Sequence, residues 1–185
     1  MPLRLFVAAY PPLALARDWL ARLPALNLPA HRPTPPEQVH LTLQFIGDTE
    51  ASDLPRVLES IERSASGIAP FTLTPLRLIS LPQRAAARLI AIETDAPAPL
   101  MELHRRLAQR LARRARRNPD APDRFTPHLT LCRFAPPAPG VARSIELDAY
   151  ASNHAFPVES IHLIASELKP TGAEHRPIES FTLAS

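Results

Sequence analysis

Cysteine is nearly absent from this chain: its 185 residues include one, Cys132. A single thiol excludes an intrachain disulfide and a zinc site built on cysteines, and a reducing compartment is the default setting for such a chain. Lysine is equally scarce. Lys169 stands alone among 21 basic residues, the others being arginine, and the net charge of +3 permits a polyanionic partner without requiring one. Long apolar runs are missing too. The run from Leu5 to Tyr10 stops at Pro11-Pro12 and is followed by Arg17-Asp18, so it is too short to span a bilayer and makes a poor secretory signal. The expected location is the cytoplasm, with no membrane partner. An H-E-x-x-H pattern is also lacking, and neither histidine motif described below contains a carboxylate. A catalytic zinc generally takes three protein ligands, so no metal is expected.

Proline, by contrast, is abundant at 23 of 185 residues, more than twice the usual share of about 5%. It clusters at Pro33 to Pro36 and Pro136 to Pro139, where it punctuates loops between periodic segments. Hydrophobic residues make up 45% of the chain, enough for a core in one compact unit or two interdependent lobes.

The organising stretch is His40-Leu41-Thr42-Leu43, because the same four letters return as His128-Leu129-Thr130-Leu131. In a strand, side chains alternate between faces, so His40 and Thr42 share one face while Leu41, Leu43 and Phe45 share the other. The second copy likewise sets His128 and Thr130 on one side and Leu129 and Leu131 on the core side. One such tetrapeptide is weak evidence, since many half-buried strands carry His and Thr on a wet face. The repeat extends further, however. Arg4-Leu5-Phe6-Val7-Ala8 and Arg88-Leu89-Ile90-Ala91-Ile92 precede the two copies, and Phe71 to Ser80 and Phe156 to Ser166 follow them, all 84 to 88 residues apart. Two similar lobes result, 1–82 and 83–185, within a single domain. A pseudo-two-fold between them brings the two His-Thr pairs face to face.

Between these motifs the pattern predicts a strand at Leu3 to Ala9, then a helix opened by Pro11-Pro12 with Leu13, Leu20 and Leu23 on its buried stripe and Pro24 at its end. Residues 27–38 read as a loop in which His31 is solvated. Val39 to Ile46 is the first motif strand, Asp53 to Ser64 a helix, and Phe71 to Leu81 one further strand. Ala87 to Glu93 opens the second lobe. Pro97 to Arg117 is a long helix with Leu100, Leu103, Leu107 and Leu111 buried and a solvated face carrying Arg105, Arg106, Arg110, Arg113, Arg114, Arg116 and Arg117; His104 packs beside the stripe. Residues 118–124 and 135–140 read as loops, Ser144 to Leu147 as extended, and Ser160 to Ser166 and Ile178 to Leu183 as closing strands. His154, His162 and His175 have no partner at motif spacing and read as structural or exposed.

Neutral imidazole accepts a proton and imidazolium donates one, and an ordinary pKa near 6.5 keeps both forms accessible. Two histidines flanking one pocket can thus act as base and acid in a single displacement. A phosphodiester suits them best, since one oxygen attacks and another leaves in line, while Thr42 and Thr130 donate to the non-bridging oxygens where charge accumulates. Regular alternation also puts Cys132 on the face of His128 and Thr130. No electropositive neighbour is assured to activate it, so it reads as a packed or lining thiol.

The paired H-L-T-L motifs, the opening R-L-F-V-A, the continuation H-L-T-L-Q-F-I-G, the context F-T-P-H-L-T-L-C-R-F and the closing S-E-L-K-P-T-G-A-E-H resemble the 2H phosphoesterase superfamily. Within it they are most similar to the bacterial and archaeal RNA 2′,3′-cyclic phosphodiesterases, also called 2′-5′ RNA ligases. The resemblance covers essentially the whole chain. It implies a bilobal α+β fold, two pseudo-two-fold-related lobes with antiparallel sheets lining a central cleft and helices outside. It also implies metal-independent, cofactor-free hydrolysis of RNA 2′,3′-cyclic phosphate ends to 2′-phosphates, and some members join tRNA halves by a 2′-5′ linkage. Carried over by motif, His40 corresponds to the proton donor to the leaving 3′ oxygen and His128 to the proton acceptor that activates water. Thr42 and Thr130 correspond to phosphate-binding residues, and Arg133 to a basic residue near the phosphate. Strict alternation puts Arg133 on the leucine side of its strand, and only a strand end or a bulge would turn it into the cleft. His175 stands where relatives tend to carry an aromatic residue, commonly tyrosine. A monomer is expected. Two other readings remain open: a protein that binds cyclic phosphate ends of RNA without cleaving them, and a phosphodiesterase for small cyclic nucleotides.

Overall fold

The computed structural model describes residues 2–111, 125–146, 154–169 and 172–185. Its centre is an antiparallel sheet whose strand order is β11-β10-β1-β3-β7-β6-β5-β8, with β2 added beside β7. The strands are β1 (Leu3–Ala9), β2 (His31–Pro33), β3 (Leu41–Thr49), β5 (Pro75–Leu81), β6 (Ala87–Thr94), β7 (His128–Ala138), β8 (Ser144–Glu146), β10 (Ser160–Lys169) and β11 (Gly172–Thr182). A separate two-stranded sheet pairs β4 (Phe71–Leu73) with β9 (Phe156–Val158). Among the described residues three helices complete the α+β architecture: α1 (Leu13–Ala21), α2 (Leu54–Ala65) and α3 (Ala98–Leu111).

The motif strands β3 and β7 lie at the middle of the sheet and are joined by one residue pair, Leu41 to Leu129. Moving outward from this seam, β1 flanks β3 as β6 flanks β7, then β10 answers β5 and β11 answers β8. The pseudo-symmetry expected from the repeat is therefore present, but the division at 82/83 does not divide the sheet. Strand β5, from the first sequence half, pairs with β6, while β10, near the C-terminus, pairs with β1. Each half-sheet is completed by strands from the other half of the sequence, so neither can close its hydrogen-bond ladder alone.

The leucine face of the seam forms the core. Leu41, Leu43, Leu129 and Leu131 are buried together with Leu100, Leu103, Leu107 and Leu111 of α3, each worth about 1.5–3 kcal/mol relative to exposure. On α1 the buried residues are Ala16 and Trp19, followed by Leu23. Leu13 is instead 43% exposed, because it opens the first turn and points away from the sheet. Pro24 falls within a short 3-10 turn, Leu23–Leu26, that follows α1. Two loops contain more structure than expected. Residues 27–38 include β2 and a 3-10 turn at Pro36–Gln38, and the expected loop at 135–140 is extended through Ala138 as the end of β7. The single strand expected at Phe71 to Leu81 is two, broken at Thr74, whose N–H donates to Asp95 Oδ1 at 2.8 Å. The closing strands are longer than their apolar cores suggested. Arg113 to Arg117, residues 118–124 and Leu147 lie outside the described residues. Among the described residues no helix is long and apolar enough to cross a membrane.

Candidate active site

Both motif strands carry a β-bulge at the same step. Against β1, Ala8 pairs with Thr42 and Val7 with Gln44, which leaves Leu43 as the extra residue. Against β6, Ala91 pairs with Thr130 and Ile90 with Cys132, which leaves Leu131 extra. An inserted residue reverses the alternation beyond it. Cys132 consequently turns into the core, fully buried, and Arg133 comes round to the face of His128 and Thr130. The corresponding residue of β3, Phe45, turns out of the core and is 50% exposed, which corrects its expected place beside Leu41 and Leu43. The carbonyls of the extra residues are both satisfied. His104 Nδ1–H donates to Leu43 O at 2.6 Å, and the Thr34 N–H donates to Leu131 O at 2.8 Å.

Continued one residue either way, the antiparallel register of the Leu41–Leu129 pair puts His40 across from Thr130 and Thr42 across from His128. With both leucines on the core face, all four polar side chains emerge on the opposite one. His40 and His128 are then diagonal neighbours, about 7–8 Å apart by strand-pairing geometry. A cavity of about 540 Å³ opens on this face, lined in part by His40, Thr42, Thr130 and Arg133. His128, next to Thr130's strand neighbour Leu129, is partly buried at the edge of the group and is not one of the lining residues.

Each catalytic candidate is held in the same way. His40 Nδ1 lies 2.6 Å from Gln38 O, and His128 Nδ1 lies 2.8 Å from Thr126 O, two residues upstream in both cases. A carbonyl can only accept, so Nδ1 carries the proton and Nε2 is left as the atom that exchanges protons. The His40 ring stacks on Phe6 at 4.9 Å between centroids and meets the edge of His175 at 5.2 Å. Burial, reinforced by the positive fields of His175, Arg133 and His128 and opposed by the Gln38 carbonyl, pushes the His40 pKa down to about 4. Burial also lowers that of His128, helped by Arg133 and opposed by the Thr126 carbonyl and Glu93. Both rings thus favour the neutral form, and an anion placed between them would draw both back up.

Further lining residues were not singled out by motif reasoning, among them Arg4, Arg32, Phe6 and Gln38. Arg32 pairs directly with Arg133 across β2 and β7, a juxtaposition of like charges that suits an anion. Its guanidinium rests on Gly172, where a side chain would collide with it. His175, expected to be structural or exposed, also lines the cavity, and burial with Arg133 nearby lowers its pKa. The family resemblance marked its position as one where relatives tend to carry an aromatic residue, and its ring meets those of Phe6 and His40. His31 lies in β2 with its ring against Phe134, away from the cavity lining. His104 packs as expected, stacked on Phe125 at 3.8 Å. His162 meets Tyr10, and His154 is exposed. Among the described residues no group of three or more His, Cys, Asp or Glu side chains is placed to hold a metal.

An antiparallel sheet that sets two His-x-Thr pairs on one face about a pseudo-dyad, with His40, Thr42 and Thr130 lining its cavity, defines the 2H phosphoesterase class of enzymes. The family model described as the 2′-5′ RNA ligase superfamily matches residues 11–170, and the chain belongs to that superfamily. It is 32% identical over 155 residues to the RNA 2′,3′-cyclic phosphodiesterase of Thermus thermophilus, covering 82% of this chain and 75% of the relative. It is 26% identical over 157 residues to the enzyme of the same name from Methanothermobacter thermautotrophicus, covering 80% of each. In fold it is similar to E. coli LigT solved with 3′-AMP, at a TM-score of 0.81 over the whole of both chains and 24% identity.

Proposed function

We propose that this enzyme hydrolyses the 2′,3′-cyclic phosphate end of RNA to a 2′-phosphate, without a metal, using His40 and His128 as acid and base. The observation that carries the reading is the Leu41–Leu129 seam, which sets two imidazoles with the same Nδ1 anchoring on one face, each beside the other motif's threonine. His128 Nε2 removes a proton from water as its oxygen attacks phosphorus. The P–O3′ bond breaks, and His40 Nε2–H delivers a proton to the departing 3′ oxygen. Thr42 and Thr130 donate to the non-bridging oxygens, and Arg133 offsets the charge that develops there. Phosphate binding makes His40 competent as an acid by raising its pKa. With an RNA 5′-hydroxyl in place of water, the same steps give a 2′-5′ linkage, and tRNA halves are suitable partners for that reaction.

An oligonucleotide ending in a 2′,3′-cyclic phosphate, incubated with the protein in EDTA, tests this. The expected product is the 2′-phosphate. A 3′-phosphate, an unchanged end, or activity abolished by the chelator would contradict it.

A further inference from the structure

We infer that Arg32 binds the internucleotide phosphate on the 5′ side of the terminal nucleotide, and so makes the site selective for a chain end over a free cyclic nucleotide. The inference rests on the phosphodiesterase reading and names the residue that tells its substrates apart.

A cyclic phosphodiester carries one negative charge, and Arg133 with the two threonines is enough to receive it. The cavity holds more cation than that. Arg32 stands directly across from Arg133 in the β2–β7 pair, with Cα atoms about 4.5–5.5 Å apart. Like charges at that position weaken a strand pair. No carboxylate lines the cavity, and neither arginine takes part in an ion pair among the described residues. Arg32 is also held in place. Its guanidinium lies against Gly172 of β11, where any side chain would collide with both terminal nitrogens. The side chain thus connects β2, beside β7, with a strand at the other end of the sheet order. Two unneutralised guanidiniums fixed on one cavity suit two phosphates, since each can form a bidentate pair with its own.

The polarity of the ribose puts the second phosphate at Arg32. Along β7 the chain runs from Thr130, opposite His40 in the continued seam register, to Arg133, and β2 pairs with β7 at that end. Arg32 therefore lies beyond His40 and away from His128. In the reaction proposed above, the 3′ oxygen faces His40. The 3′ carbon is bonded to the 4′ carbon, which bears the 5′ carbon and the phosphate of the preceding link. An RNA chain accordingly leaves the site past His40 toward Arg32, where a free cyclic nucleotide offers only a 5′ hydroxyl.

The test compares wild type, Arg32→Gln and Arg32→Lys on two diadenosine substrates ending in a 2′,3′-cyclic phosphate. One has the natural phosphodiester link and the other an uncharged methylphosphonate link. Wild type should prefer the charged link in kcat/KM by about 5- to 50-fold, mostly through KM. Arg32→Gln should abolish that preference, and Arg32→Lys should keep part of it. Because the ratio is read within one protein, a general loss of activity cancels. For wild type the logarithm of kcat/KM should fall with the logarithm of salt more steeply on the charged link, by about 0.7 in slope, and Arg32→Gln should remove the difference. A wild type indifferent to the link, or a preference unchanged in Arg32→Gln, would overturn the assignment. Binding of the two diadenosine 2′-phosphates, natural and methylphosphonate, gives a readout without turnover that should show the same pattern. If wild type cleaves neither cyclic substrate, the phosphodiesterase reading fails, while the binding comparison still decides whether Arg32 holds a second phosphate.

Discussion

Leu41 faces Leu129 across the only residue pair that joins β3 to β7, and both side chains are buried. Two apolar residues on the far face of the sheet therefore fix how His40 and His128 stand relative to each other. The arrangement of the candidate site is a consequence of core packing at the seam.

Leu129→Ala should cost about 2–5 kcal/mol, the range for emptying a fully packed leucine site, and turnover should fall under conditions where the variant remains folded. Denaturant unfolding followed by assay checks both. A loss below about 1 kcal/mol with full activity would show that the seam does not set the geometry.

His104→Phe keeps an aromatic ring against Phe125 but removes the donor to the Leu43 carbonyl. The unsatisfied carbonyl should cost about 1–3 kcal/mol, and the change should reach Phe45 two residues along the bulged strand. Chemical unfolding gives the stability, and the NMR signals of the Phe45 ring give the displacement. Unchanged Phe45 signals would mean that the bulge stands without His104.

The lowered pKa values of His40 and His128 have a definite sign. Above the ordinary pKa near 6.5 both rings are neutral, folded or unfolded. As pH falls from about 6.5 toward 4, the unfolded chain takes up protons that folded His40 refuses, so stability falls, by at most about 3 kcal/mol from this residue. His40→Gln should remove part of that loss. In kinetics, kcat/KM reports the free enzyme and kcat the complex. The bell for kcat/KM should peak on the acid side of 6.5, and that for kcat should lie at higher pH because bound phosphate stabilises both imidazolium forms. Coincident profiles would contradict this electrostatic account.

The His-x-Thr pairs, their alternation with core leucines and the pseudo-two-fold were legible in the sequence, because period-2 patterning and a repeat are local signals. The reversal after Leu43 and Leu131 was not. A bulge is decided by which residues of β1 and β6 pair opposite, and strict alternation accordingly put Phe45 in the core, Cys132 in the cleft and Arg133 away from it. The exchange of β5 and β10 between half-sheets was equally hidden, since the repeat orders elements along the chain and leaves their edge partners open. His175 reaches His40 only through β11, a strand more than 130 residues further along.

Burial pushes the Cys132 thiol up to about 11, so it should resist alkylation at pH 8 in the native protein and react once the chain is unfolded. Cys132→Ala should leave cyclic phosphate cleavage intact at a stability cost of about 1–2 kcal/mol. Rapid labelling of the folded protein, or loss of activity in the variant, would return this residue to the cleft.

The most direct test of paired imidazole catalysis is the single-turnover rate on a 2′,3′-cyclic-ended oligonucleotide for wild type, His40→Ala and His128→Ala, each confirmed to be folded. Each substitution should slow cleavage by about 10²- to 10⁴-fold. A near-wild-type rate in either variant would contradict the account.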